Sequence, residues 1–280
     1  LNKLNVNPAL QLWILQFLTN RTQFVRTPQK CSNLLHINTG SPQGCVLSAI
    51  LFTLYTNDLR SHFPDCKVIK YADDTIIIGL ISKDENNYRA TINEVNSWCQ
   101  NNFLKLNINK TKEIVFCYKK KLNPQTHQIE IDSTSVEIVE KYKYLGVYID
   151  NKLNWNAHIT FIKNKMNKRM FLLRTLRKFN INNLILSTFC DTIIFSVLLY
   201  IIQVWYPPSN AASTNQIQSI VKRTQKITNQ YNTHCLSFCN IKCLQYIQRI
   251  IKDSNHPLAN ELIFLPSGRR LNVKFCRTTK

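Results

Sequence analysis

The stretch KYADDTIIIG, residues 70–79, sets two acids side by side between two apolar runs. The chain around it is strongly basic: 36 Lys and Arg against 16 Asp and Glu give a net charge of +20 over 280 residues. KVIKY before the acids and TIIIGL after them are rich in β-branched residues, so the segment predicts a β-hairpin with the acids at its turn. Taken alone, Asp73 and Asp74 fit ordinary turn chemistry, because an Asp side chain bonds nearby backbone. The flanks argue for more. Val68, Ile69, Ile76, Ile77 and Ile78 predict burial on both faces, and hence a turn projecting from a central sheet into a cleft. Carboxylates held there need cations, and hard divalent ions such as Mg2+ take oxygen ligands. Neighbours on a strand point to opposite faces, so the two acids are unequal ligands. A further carboxylate is needed to hold two ions about 3.5–4 Å apart.

Upstream stands GSPQG, residues 40–44. Ser41 before Pro42 predicts a helix start, with Leu47, Ile50, Leu51, Leu54 and Asp58 on one side of the helix that follows. Gly44 near that start lets a flat base approach the backbone, and free N–H groups there favour phosphate. A Gly-Pro loop alone says little; with YADD downstream it says much more.

Composition sets the bounds. At 44% hydrophobic the chain is globular. Its charge disfavours compaction unless a polyanion neutralises it; nucleic acid is the commonest such partner and a membrane surface the alternative. Ten cysteines are too sparse for a disulfide scaffold. With no secretory signal they read as reduced thiols in a soluble nuclear or cytoplasmic protein.

Residues 5–20 predict a helix capped by Asn7 with Pro8 at its first position and Leu10, Ile14, Phe17 and Leu18 at helical spacing. TQFVRT (22–27) and LLHINTG (34–40) predict short strands. Residues 87–102 predict a helix burying Ile92, Val95 and Cys99, and 104–116 and 128–150 predict strands, with Gly146 at a turn or bulge. From Asn154 the chain reads as helical. Residues 184–206 are long enough to span a bilayer, but Asp191 would penalise insertion by about 2.5–3.5 kcal/mol. The segment reads instead as a wholly buried helix. Trp13, Trp98, Trp155 and Trp205 lie in apolar runs and read as core.

GSPQGCVLSAILFTLYTNDL followed by KYADDTIIIG resembles the palm of a reverse transcriptase, most closely those of non-long-terminal-repeat, LINE-type retrotransposons. FLTNRTQFV (17–25), LKLNINKTKEIVF (104–116) and YKYLGVYID (142–150) are similar to other palm segments. LLYIIQVWYP (198–207) and LPSGRRLNVKFCRT (265–278) resemble the thumb and carboxy-terminal region less specifically. The resemblance implies an α+β fold: a partial polymerase palm over 1–150, an antiparallel sheet with packed helices, then an all-α thumb and extension over 151–280. It implies Asp73 as a ligand of catalytic Mg2+, with Asp74 supporting or sharing that role. It implies Tyr71 and Ala72 beneath the primer end, and Pro42, Gln43 and Gly44 against the incoming nucleotide and its template base. Lys110 corresponds to a lysine thought to protonate or neutralise the departing pyrophosphate, and Tyr144-Leu145-Gly146 to the primer-grip hairpin. The implied partners are an RNA template, a DNA primer and dNTPs.

The family carries another metal-binding aspartate upstream of LNKLNVNPALQLW, and its fingers also precede that point. The resemblance therefore implies a fragment that does not polymerise alone. Asp58, Asp65, Asp84, Asp132, Asp150, Asp191 and Asp253 offer no strand-borne substitute beside YADD. The alternative is a non-enzymatic, basic nucleic-acid-binding remnant.

Residues 151–180 hold eight Lys and Arg and no acid, beside an apolar stripe of Ile162, Met166, Met170 and Leu173. A solvated face usually mixes signs, so this one predicts phosphate contact, led by Lys165, Lys168 and Arg169. His234, Cys235, Cys239 and Cys243 suggest zinc. On a helix Cys235 and Cys243 stand about 12 Å apart, too far for one ion with Zn–S near ~2.3 Å. Buried thiols are favoured, with no zinc and no membrane partner.

Overall fold

The structure is a computed structural model describing residues 5–80, 86–117, 128–206, 211–228, 235–268 and 270–272. The chain divides into two units, Leu1–Ile108 with Ile129–Thr134, and Asn109–Gln128 with Ser135–Lys280.

In the first unit, helix α1 (Pro8–Leu18) starts as expected. The Asn7 side chain accepts the Ala9 N–H at 2.9 Å and Pro8 takes the first position. Its apolar stripe is another matter: Ile14 is buried, while Leu10, Leu12, Trp13 and Leu15 stay exposed. Trp13 is therefore not core; its ring stacks on Phe17 at 6.0 Å. Strands β1 (Arg21–Gln23) and β2 (Leu35–Ile37) pair antiparallel. β1 is shorter than expected, and beyond it Arg26 makes only a single bridge to Cys31.

Helix α2 (Val46–Tyr55) begins later than Ser41 and Pro42 suggest. Gly44 sits at φ +77, in left-handed backbone that cannot continue a helix, and extended Cys45 precedes the first turn. Strands β3 (Cys66–Tyr71) and β4 (Asp74–Gly79) form the predicted hairpin, with Tyr71 opposite Asp74 and only Ala72 and Asp73 in the loop.

One face of this hairpin packs on α3 (Asn86–Asn101). Val68 and Ile77 join Leu59, Val95, Cys99 and Trp98 there. Gly79 permits the approach, since a Cβ at that position would lie 2.5 Å from the Tyr88 ring. Among the described residues the expected central sheet, buried on both faces, is not present. The hairpin is a two-stranded sheet, and Ile69 and Ile78 on its other face are 46% and 49% exposed. The isoleucine run reads the same whether one face or two are covered, so sequence could not separate the cases. Strand β6 (Glu130–Ile131) lies near α3, where Asp132 accepts from the Asn96 and Gln100 amides at 2.8 and 3.2 Å.

The strand expected over 104–116 is mostly irregular. It contains a 3-10 turn, Ile108–Lys110, and the two-residue β5 (Lys112–Glu113). In the second unit β5 pairs parallel with β8 (Glu137–Ile138). Strands β9 (Lys141–Tyr144) and β10 (Val147–Asp150) form a hairpin around Leu145 and Gly146, at φ +43 and +84. Two positive φ values are those of a type I′ two-residue hairpin loop.

Helix α4 (Asn156–Lys178) buries Ile159, Ile162, Met166, Met170 and Leu173. The segment expected as one buried helix over 184–206 is broken. It runs as α5 (Asn183–Phe189), a π-helical turn (Cys190–Phe195), α6 (Ser196–Leu199) and, after left-handed Ile201, α7 (Ile202–Trp205). Thr188 and Thr192 hydroxyls bond the carbonyls of Leu184 and Thr188, and Ser196 bonds that of Ile193. Such back-bonds compete with the regular ladder and bend helices. Helices α8 (Ala211–Thr228) and α9 (Cys235–Lys252) add Ile217, Ile220, Val221 and Cys239 to a core centred on Trp205, Leu198 and Ile194. Among the described residues no helix is long and apolar enough to cross a membrane.

Candidate active site and nucleic-acid interface

The hairpin loop meets the GSPQG segment. An open cavity of about 410 Å³ is lined by Pro42, Gln43 and Gly44, by Ala72 and Asp73, and by Ser48 and Phe52 of α2. The structure thus brings together five of the residues predicted from sequence. The GSPQG segment is held at both ends. Arg21 donates through Nε to the Leu18 carbonyl at 3.1 Å and through Nη2 to the carbonyls of Thr39 and Gly40 at 2.8 and 2.6 Å. Ser48 Oγ donates to the Pro42 carbonyl at 2.6 Å. Lys70, at the end of β3, donates through Nζ to the Thr56 carbonyl just past α2. Burial lowers the pKa of Lys70, against the charge of Asp58, which raises it. Sequence reading missed Arg21, Ser48 and Lys70, because a staple through backbone carbonyls leaves no motif.

Ala72 holds φ +52, a conformation costing an L-residue about 1–2 kcal/mol. Its cramped loop sends Asp73 to the cavity. Asp74 instead begins β4 and pairs with Tyr71, whose ring is 63% exposed. Asp73 and Asp74 are therefore unequal, as strand geometry requires. Carboxylate oxygens on an exposed turn are the donors a hard divalent ion takes, so the pair fits such an ion in kind. It does not complete the site: among the described residues no three His, Cys, Asp or Glu side chains converge. Lys110 belongs to the second unit, exposed at the end of its 3-10 turn, where its carbonyl accepts the Tyr142 hydroxyl at 3.4 Å.

In the second unit the predicted cations divide. Lys168 is exposed on α4. Lys165 Nζ stands 5.7 Å from the Phe161 ring centroid, and Lys143 Nζ from β9 stands 5.0 Å from the same ring. Arg169 is committed inward: its guanidinium donates to the Ile193 carbonyl in the π turn and to Ser196 Oγ at 3.5 Å.

The β9–β10 hairpin is fastened to the helices. Tyr200 donates its hydroxyl to the Leu145 carbonyl at 2.8 Å, and its ring lies 3.1 Å from where a Gly146 Cβ would sit. Buried His158 accepts the Tyr148 N–H through Nδ1 at 3.3 Å and meets Trp205 edge to face. Burial pushes the His158 pKa down to about 4, so it stays neutral. Of the suggested zinc ligands, His234 and the Cys235 side chain lie outside the described residues. Cys239 is buried, and burial, then the neighbouring Cys239, raises the Cys243 pKa.

A Pro-Gln-Gly turn thus faces an aspartate-tipped hairpin. The family described as reverse transcriptase (RNA-dependent DNA polymerase) matches residues 1–149, and the chain is a member of it. Among curated proteins it is 28% identical over 169 residues to the RNA-directed DNA polymerase from mobile element jockey of Drosophila melanogaster, covering 56% of this chain and 18% of that protein. It is 26% identical over 222 residues to the probable RNA-directed DNA polymerase from transposon BS of the same organism, covering 75% and 24%. It is 25% identical over 179 residues to that from transposon X-element, covering 60% and 19%. The chain thus spans about a fifth to a quarter of the length of these relatives. They bear out the resemblance to retrotransposon reverse transcriptases of the non-long-terminal-repeat type. No solved structure matches.

Proposed function

We propose that the chain supplies the catalytic hairpin, the nucleotide-side loop and a basic helical thumb of a retrotransposon's RNA-directed DNA polymerase. Residues 1–150 act as palm and 151–280 as thumb. The observation that carries this reading is the cavity joining Pro42, Gln43 and Gly44 to Ala72 and Asp73. The substrates are a dNTP, a DNA primer and an RNA template. Bound Mg2+ ions supply charge neutralisation for in-line attack by the primer 3′-hydroxyl on the α-phosphorus.

The chain's own residues position the reactants. Asp73, with Asp74 beside it, offers the carboxylates. The Gly44 backbone lets the base pair approach without a Cβ in the way, and Tyr71 and Ala72 shape the primer side. Lys110 neutralises the leaving group, while Lys165 and Lys168 neutralise phosphates of the template–primer.

Asp73 and Asp74 have no third carboxylate among the described residues, so the 280-residue chain alone is expected to bind nucleic acid without extending a primer. Primer extension on an RNA template with Mg2+ and dNTPs tests this; robust synthesis abolished by Asp73→Asn would overturn it. The metal assignment has its own test. Mn2+ should broaden NMR signals of the 71–75 turn, and Asp73→Asn should remove the broadening; persistence in that variant places the ion elsewhere.

A further inference from the structure

Helix α4 carries its buried stripe, Ile162, Met166, Met170 and Leu173, on one side. At 100° per residue Phe171, which is 66% exposed, lies within about 40° of the opposite side. Lys168, Arg174 and Lys178 lie within about one residue's rotation of Phe171, one turn before it and one and two turns after. Phe179, at the end of the helix, is 74% exposed. No acid occurs from 151 to 180, and no described carboxylate pairs with these three cations. The exposed ring thus stands among cations with no acid near it in sequence. A protein partner offering an apolar patch would also meet three unmatched positive charges.

Charge and ring together fit one occupant. An unpaired nucleic-acid strand has phosphates for the cations and a base for the ring. Bases in a duplex have their faces covered by stacking, whereas every unpaired base exposes one.

We propose that Phe171, ringed by Lys168, Arg174 and Lys178, is a stacking site for an unpaired base, a single-strand site separate from the hairpin cavity. It rests on the reading that this helix meets nucleic acid, and adds that the strand it meets there is single.

The test is fluorescence anisotropy with the full chain, a labelled 12-nucleotide oligouridine and a blunt RNA–DNA duplex, each over a range of salt. Phe171→Ala should weaken oligouridine binding about tenfold or more, with the same salt slope and little change on the duplex. Phe171→Trp should restore binding, and its fluorescence should be quenched by the oligomer; Phe171→Leu should not restore it. Gln at Lys168, Arg174 and Lys178 together should flatten the slope by about 2–3 units. Equal losses on strand and duplex, full rescue by Leu, or unchanged oligouridine binding in Phe171→Ala would overturn the site. So would a Phe171→Ala effect seen only as loss of self-association in sedimentation, or only on phosphatidylserine vesicles. Failure of the broader reading looks different: the unmutated chain would then bind neither nucleic acid with salt dependence.

Discussion

The two units gather cores of different size, though both leave large apolar side chains in solvent, Phe171, Leu172 and Leu184 among them in the second. In the second, residues spaced for a helix are buried as helices: Ile162, Met166, Met170 and Leu173 close against Leu186, Ile194, Leu198 and Trp205. In the first, residues with the same spacing or with strand alternation stay in solvent, including Leu12 and Trp13 of α1, Val46 and Ile50 of α2, and Ile69 and Ile78 of the hairpin. Its described core is correspondingly small, built on Leu59, Val95 and Cys99. Periodicity reports that a face is apolar; what covers the face is a tertiary fact. The candidate catalytic turn therefore stands on the weakly packed unit, and its geometry rests on a few hydrogen bonds to backbone carbonyls rather than on core.

The largest expected effect breaks that contrast directly. Leu173 is fully buried in the large core, so Leu173→Ala should cost about 2–5 kcal/mol in urea denaturation. Val95→Ala, in the small core, removes fewer methyl groups beside an open face and should cost less. Equal losses would show that the first unit is as tightly packed as the second.

Next comes acid. His158 is neutral in the fold with a pKa of about 4, against about 6.5 when unfolded. Between those values the unfolded chain binds the extra proton, so stability rises with pH. The stability is fully present above about pH 6.5 and falls by roughly 3 kcal/mol as pH drops to 4. His158→Gln should flatten that limb of the pH–stability curve. Hydrogen exchange should place the acid sensitivity at β10 and α4, where the Tyr148 N–H bond ties them together, and not at the YADD hairpin.

A smaller effect belongs to the first unit. Nothing lies within 4 Å of a Cβ built on Gly44, so Gly44→Ala meets only backbone strain at φ +77. That amounts to about 1–2 kcal/mol. The loss should appear as faster exchange over 41–48, with Leu173 and its neighbours unaffected.

How far the sequence could be read follows from the same contrast. The β3–β4 hairpin, the Asn7 cap, α3 with its buried Ile92, Val95 and Cys99, and the turn at Gly146 were all legible, because each rests on local chemistry or a clean period. The meeting of Pro42-Gln43-Gly44 with Asp73 was legible through the resemblance of two motifs, though the strained Ala72 beside it was not. The open hairpin face was illegible, since a run of isoleucines looks alike half or fully covered. The break in 184–206 was illegible too: its π turn coincides with Thr and Ser back-bonds and a distant arginine, and each looks innocent alone.

That arginine gives the finest discrimination. Sequence places Lys168 and Arg169 together as phosphate contacts, yet they do different work. Arg169 reaches across from α4 to the Ile193 carbonyl in the π turn, which also accepts the Ser196 hydroxyl. Lys168 is exposed. Arg169→Gln should therefore lower stability by about 1–2 kcal/mol while leaving the salt slope of oligouridine binding nearly unchanged. Lys168→Gln should leave stability within about 0.5 kcal/mol and reduce that slope by about 0.7. The opposite pattern would mean that Arg169 leaves the π turn for a phosphate when nucleic acid binds. The break in the helix would then be a property of the free chain alone.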